Sequence, residues 1–184
     1  MSRLNTKEFN QKQIEALEES KEAFGAIINF NRVLANSPEA LKGVSELQKN
    51  LSKGKLDTKT REKIALAISE TNSCDYCVSA HTAIGTDAGL SASQILDARK
   101  GKSEDSKSDR AVKFARAVLE NQGELSDNEL ELAKKAGLSD GELIEIITLV
   151  GLISIGNYAG KVSQIEIDFP KAKPLEKADT KCTV

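Results

Sequence analysis

The chain has 184 residues, 29% of them charged, and a formal net charge of −2. That length suits one domain with a substantial core, or one domain with decorated ends. The near-neutral balance and the absence of a long Lys/Arg run speak against nucleic acid as a partner, and three cysteines, two of them close together in the motif below, are too few for a secreted disulfide framework.

In chain order, Met1 to Thr6 lacks the apolar run of a signal peptide. Helices are expected nearly throughout, because Pro occurs only three times (Pro38, Pro170 and Pro174) and Trp is absent. Lys7 to about Val33 reads as one or two helices, with Phe24, Ile27, Ile28 and Leu34 at helical spacing. Ser37, Pro38 and Glu39 form a helix start, followed by the apolar stripe Leu41, Val44, Leu47 and Leu51. Gly54 to Asp57 breaks the pattern, and Asp57 or Thr58 caps a helix that carries Glu62 and the apolar block Ile64 to Ile68. Thr71, Asn72 and Ser73 supply capping residues before Cys74, so Cys74 falls in the first turn of a helix that runs to about Thr86, with Gly85 and Gly89 helping to end it.

Shorter helices follow over Ser91 to Arg99, Asp109 to Asn121 and Ser126 to Lys135, then a long one from Ser139 to about Tyr158. The longest apolar zone, Leu143 to Ile155, is interrupted by Glu145, Thr148 and Ser154 and reads as too short and too polar to span a bilayer. Its expected role is central core or subunit interface. Residues 165–184 read as an irregular arm around Pro170 and Pro174, and residues 1–35 as an N-terminal helical extension of a single all-α domain covering 1–184. A soluble cytoplasmic protein without membrane contact is expected.

The chemistry concentrates in Cys74-Asp75-Tyr76-Cys77-Val78-Ser79-Ala80-His81, and His81 is the chain's single histidine. On a helix, thiols three apart and an imidazole four beyond share one face. Two such sulfurs can close a disulfide, and unpaired amides at a helix start favour a thiolate. His81 can take a thiol proton directly or through a water. It needs a partner to fix its tautomer, and Glu62, on the preceding helix among Ile64, Ala65 and Leu66, is a candidate, since a buried carboxylate is costly unless paired.

Duller readings exist for each residue. A cysteine is often a small buried hydrophobe, a histidine a satisfied core group, and a glutamate in a first helical turn ordinary dipole compensation. Cys74, Cys77, His81 and Glu62 could also be zinc ligands in a structural module, although such sites usually draw on two separated ligand pairs. Covalent haem attachment would need His where Val78 stands, and a thioredoxin-like fold would need strands. Tyr76 packs or lends its hydroxyl to the site, and Cys182 reads as a free tail thiol.

The spacing Glu62, Cys74, Cys77, His81 resembles the motif of the alkylhydroperoxidase AhpD-like branch of the carboxymuconolactone decarboxylase superfamily. The text Arg61 to Leu66 and Cys74 to Thr82 looks like its peroxidase-related members, as do Asn36-Ser37-Pro38, Gly156-Asn157-Tyr158 and Ile167-Asp168-Phe169-Pro170, so the resemblance spans about Phe30 to Pro170. It implies an all-α, AhpD-like helical bundle with the cysteine pair at the start of a central helix, and a homo-oligomer, trimer or hexamer. It also implies thiol-dependent reduction of hydroperoxides. Cys77 would attack the peroxide, Cys74 would resolve the sulfenic acid as a disulfide, and His81 with Glu62 would relay protons. An external dithiol, in some members a lipoyl-bearing protein, would restore the pair. Some family enzymes carry a second histidine directly before the attacking cysteine; this chain has Tyr76 there. The decarboxylase branch lacks the cysteine pair. A redox-sensing or disulfide-exchange protein with little peroxidase activity is the competing expectation.

Overall fold

The computed structural model describes residues 2–175, so Cys182 and the last part of the expected arm lie outside the described residues. Within them the fold is all-α: nine helices and no strand. They are α1 (Gln11–Phe24), α2 (Asn29–Leu34), α3 (Pro38–Leu51), α4 (Thr58–Thr71), α5 (Asp75–Asp87), α6 (Ala92–Arg99), α7 (Ser106–Glu120), α8 (Asp127–Lys135) and α9 (Asp140–Ser163).

Local chemistry sets these boundaries. Asn10, Ser37, Asp57, Asp105 and Ser139 each accept a backbone N–H at a helix start, and Ser139 with Glu142 closes a reciprocal capping box. The first expected helical zone is two helices, because Gly25 adopts a left-handed conformation (φ 75°) that ends α1. Gly85 does not end α5. It lies inside the helix, where an added Cβ would come within 3.1 Å of Leu90 Cδ1, so its role is close packing; Gly89 (φ 85°) supplies the left-handed turn after the helix. The last helix runs past Tyr158 to Ser163, since nothing between them interrupts the ladder, and it stops where Gln164 turns left-handed.

The main core lies where α4, α7 and α9 meet, around Ile64, Ile68, Val112, Phe114, Ile146 and Leu149. α4 is buried on several sides: Leu66 faces a separate cluster with Leu90, Ile95 and Ala98. α1 packs on α3 through Ala16, Leu17 and Leu41. By length and composition α9 is apolar enough to cross a membrane, which the shorter zone Leu143 to Ile155 does not suggest; in the fold it packs on α2, α3, α4, α5 and α7. Its N-terminal half also holds a loop in place. The Glu145 carboxylate accepts from the Lys55 and Leu56 amides (2.8 and 3.0 Å), and a Cβ at position 54 would sit 2.6 Å from that carboxylate and displace it. Glu142 is held at a pKa of about 2: burial pushes it up, but Lys107 and the Ser139 N–H and O–H outweigh that.

After α9 the chain runs without helix or strand from 165 to 175 as a strap. The Asp168 carboxylate accepts from the Asn29 amide (2.7 Å), Asn29 Nδ2 donates to the Glu166 carbonyl (3.0 Å), and the Ala172 amide donates to Ser79 Oγ (3.1 Å). The strap is thereby tied to the start of α2 and the outer side of α5.

Candidate active site

Cys74 is the N-cap of α5 rather than a member of its first turn. Ser73, in a left-handed conformation (φ 52°), turns the chain out of α4, and Cys74 takes an extended backbone. The Cys77 amide donates to Cys74 Sγ at 3.4 Å, the position an N-cap oxygen would occupy. Cys77 thus sits in the first turn, three residues into the helix, and a disulfide joins the two with Cα atoms 5.3 Å apart. Both are buried, Cys74 at 2% and Cys77 at 7% exposure.

One turn on, His81 Nδ1 meets Glu62 Oε2 of α4 at 2.8 Å, with side chains 19% and 12% exposed. Glu62 lies in the second turn of α4, whose first turn holds no acidic residue, so dipole compensation does not account for it. With Glu62 ionised, Nδ1 carries the proton and Nε2 is left as the basic nitrogen. Among the described residues no group of three His, Cys, Asp or Glu side chains is arranged to hold a metal ion.

Cys77, His81 and Glu62 line one cavity of about 340 Å³. Its walls are mostly apolar. The end of α1 contributes Phe24, the segment before α2 Ile28, and α2 Phe30; α9 contributes Leu152 and Ile153, and the strap contributes Phe169. A polar group at its edge, Asn157, is fully buried and satisfied: its Nδ2 donates to Ser69 Oγ (3.2 Å) and its Oδ1 accepts from Asn72 Nδ2 (2.8 Å), tying α9 to the end of α4.

Tyr76 lines the same cavity, but its hydroxyl is committed elsewhere. It accepts from the Phe30 amide at 3.2 Å and meets the Asp168 carboxylate, and its ring packs edge-on against Phe169 with centroids 5.9 Å apart. Burial, and then the Asp168 charge, push the phenol's pKa well above its ordinary value, so it stays neutral. Tyr76 therefore both packs and lends its hydroxyl, to the strap and α2. Neither partner is signalled by the residues around Tyr76 in the chain. Gly160 is a functional position that sequence reasoning misses: a Cβ there would lie 3.3 Å from Cys74 Sγ and 3.9 Å from Cys77 Sγ, so the bare glycine lets α9 lie against the disulfide. Nothing in a lone glycine of an apolar helix signals that role, whereas Asn157 and Phe169 belong to segments that carry the family resemblance.

Residues 38–121 match the model of the Carboxymuconolactone decarboxylase family. No curated protein matches the chain in sequence. Among solved structures, the alkylhydroperoxidase AhpD core of a peroxidase-related protein from Ralstonia eutropha JMP134 superposes with a TM-score of 0.79 at 20% identity, over 91% of this chain and 92% of that one. A peroxidase-related protein from Silicibacter sp. TM1040 gives 0.77 at 18% identity, over 90% and 91%. The debrominase Bmp8 gives 0.70 at 17% identity, over 86% and 87%. At these identities the structural likeness establishes the fold. The family match covers residues 38–121, and the fold around that segment is the AhpD-like one.

Proposed function

We propose that the protein is a thiol-dependent peroxidase that reduces hydroperoxides through a Cys74/Cys77 dithiol–disulfide cycle. The observation that carries this reading is the convergence of Cys77, His81 and Glu62 on one apolar cavity, with Cys74 at bonding distance behind Cys77. Cys77, as thiolate, attacks the outer oxygen of the peroxide. The O–O bond breaks, an alcohol leaves with a proton from His81, and Cys77 becomes a sulfenic acid. Cys74 displaces water from it to give the disulfide. Glu62 acts through His81 as a positioning residue that fixes the tautomer and stabilises the imidazolium. An external dithiol, free or borne on a lipoyl protein, supplies the two electrons that return the pair to thiols.

The same reading carries a homo-oligomer, a trimer or hexamer. An exposed stripe on α9, comprising Ile144, Ile147, Ile155, Tyr158 and Val162, supports it as an apolar face of the kind that subunits cover. It also carries a cytoplasmic setting, because a reversible dithiol needs a reducing compartment.

The test is steady-state consumption of an organic hydroperoxide with dithiothreitol or dihydrolipoamide, run on wild type and on Cys77→Ser. Turnover that falls by about 10³-fold or more in the variant, with the helical circular dichroism retained, is the expected result. A single stoichiometric oxidation of wild type would instead favour a redox sensor or exchange protein. A second arm offers a brominated aromatic as oxidant, because the fold is shared with a debrominase and the cavity is apolar. Dithiol-dependent bromide release without peroxide turnover would replace the leading reading.

A further inference from the structure

A second cavity, of about 250 Å³, borders the disulfide at Cys74. Cys74 lines it and Cys77 does not; Cys77 lines the first cavity and Cys74 does not. Gly160 forms part of the second cavity's wall, and the space where its Cβ would be lies 3.3 Å from Cys74 Sγ, so the sulfur itself is close to that wall. Ile165 and Ile167 of the strap form another part, and Ser73, Asp75, Lys161 and Gln164 also line it. Tyr76 borders both spaces, and the strap passes between them, giving Phe169 to one and Ile167 to the other.

We infer that the site has two doors: the oxidising substrate reaches Cys77 through the first cavity, and the reducing dithiol reaches Cys74 through the second. This rests on the dithiol–disulfide cycle proposed above. A thiolate displaces a disulfide sulfur in line with the S–S bond, from the side opposite the leaving sulfur, and the rate depends on which sulfur is accessible and how well the other leaves. With Cys77 on the side of the first cavity, the side of Cys74 opposite its partner is that of the second. The leaving group is then Cys77, which has His81 one helical turn away to stabilise it and return a proton. The first thiolate of the reductant bonds Cys74 Sγ as the Cys74–Cys77 bond breaks. The second thiol then attacks the reductant's own sulfur, releasing Cys74 as thiolate and closing the reductant's disulfide. Two electrons and two protons pass from the dithiol to the pair.

The dimensions select the occupant. Cys74 is only 2% exposed and borders a cavity of about 250 Å³, a space that admits a dithiol on a slender aliphatic stem. The separation also has a consequence for turnover. A reductant bound at Cys74 need not wait for the alcohol product to leave the first cavity.

The test measures the two half-reactions separately on the full chain. Ile167→Trp narrows the second cavity and Ile167→Ala widens it; Ile84→Trp narrows only the first, which Ile84 lines. With dihydrolipoamide as the probe, Ile167→Trp is expected to slow disulfide reduction about tenfold or more, the scale on which a misfitting pocket discriminates. Ile167→Ala is expected to hold or raise that rate, and both variants are expected to be oxidised by cumene hydroperoxide at the wild-type rate, which also reports that the site has folded. Ile84→Trp is expected to do the reverse, slowing oxidation and sparing reduction. Reduction slowed by Ile84→Trp and untouched by Ile167→Trp would overturn the second door and send both reagents through the first. If wild type is not oxidised by the peroxide at all, the peroxidase reading falls, yet the reduction half-reaction still decides which cavity admits the thiol.

Discussion

The cluster between α4, α7 and α9 is built of aliphatic side chains and Phe114, drawn mostly from long helices that meet along their lengths. The cluster around the cysteine pair is assembled from fragments: Val33 from α2, Tyr76, Cys77 and Ala80 from α5, and Ile165 from the strap, with one cavity at Cys77 and another at Cys74. Helix α9 serves both. Its inner residues fill the main core, while Asn157 and Gly160, farther along, face the site. Close packing gives stability and leaves no room for a reactant. The fragment-built cluster gives up density and gains access. Substitutions in the first region should therefore move stability and spare the thiol chemistry, and those of the reacting and relaying groups in the second should do the opposite.

The largest expected effect belongs to the main core. Ile146 is fully buried, and Ile146→Ala removes three carbons from the contact between α9 and its neighbours. Urea unfolding should show a loss of about 2–5 kcal/mol, while the rate of disulfide reduction in the folded protein stays at the wild-type value. A loss below about 1 kcal/mol would mean that this region relaxes as readily as a surface site, and the contrast would fail.

Next comes the relay. Glu62→Gln keeps the shape of the side chain and a hydrogen bond to His81, but removes the charge that favours the imidazolium. On the proposed mechanism kcat/KM for the hydroperoxide falls by about 10²-fold. Because a neutral hydrogen bond to His81 is kept, the unfolding free energy should change by about 1 kcal/mol. Glu62→Asp should recover part of the rate. An unchanged kcat/KM with a large stability loss would make Glu62 a structural group.

Much of this arrangement is legible in the sequence because it is local. Cys74, Cys77 and His81 lie within about two turns of the same helix, and helical period alone puts them side by side. The capping residues Ser37, Asp57 and Ser139 announce their helices for the same reason: the bond each makes spans three residues. Glu62 is reachable only by argument from cost, since a carboxylate within an apolar block implies a partner. What cannot be read is what the chain brings together across distance. The strap meets α2 through Asp168 and Asn29, 139 residues apart, and no period connects them. The fit of Gly160 against the sulfurs depends on how α9 crosses α5. Each cavity takes part of its wall from the strap, Phe169 in one and Ile167 in the other, so the surroundings of the disulfide are a tertiary property.

The smallest effect is expected at Tyr76, whose ring belongs to the cysteine cluster while its hydroxyl serves the link between α2 and the strap. Tyr76→Phe keeps the ring against Phe169 but removes the hydroxyl that accepts from the Phe30 amide and meets Asp168. The cost should be about 1 kcal/mol, the net worth of a neutral hydrogen bond. Amide hydrogen exchange should locate that cost at Phe30 and its neighbours in α2, because the link between strap and α2 is what loosens. Burial and Asp168 hold the phenol neutral far above its usual range, so its loss should leave the alkaline limb of the rate profile where it was. A shift of that limb would instead make Tyr76 a proton donor in the reaction. The site would then hold a third proton-transferring group, in the position where some family enzymes carry a histidine.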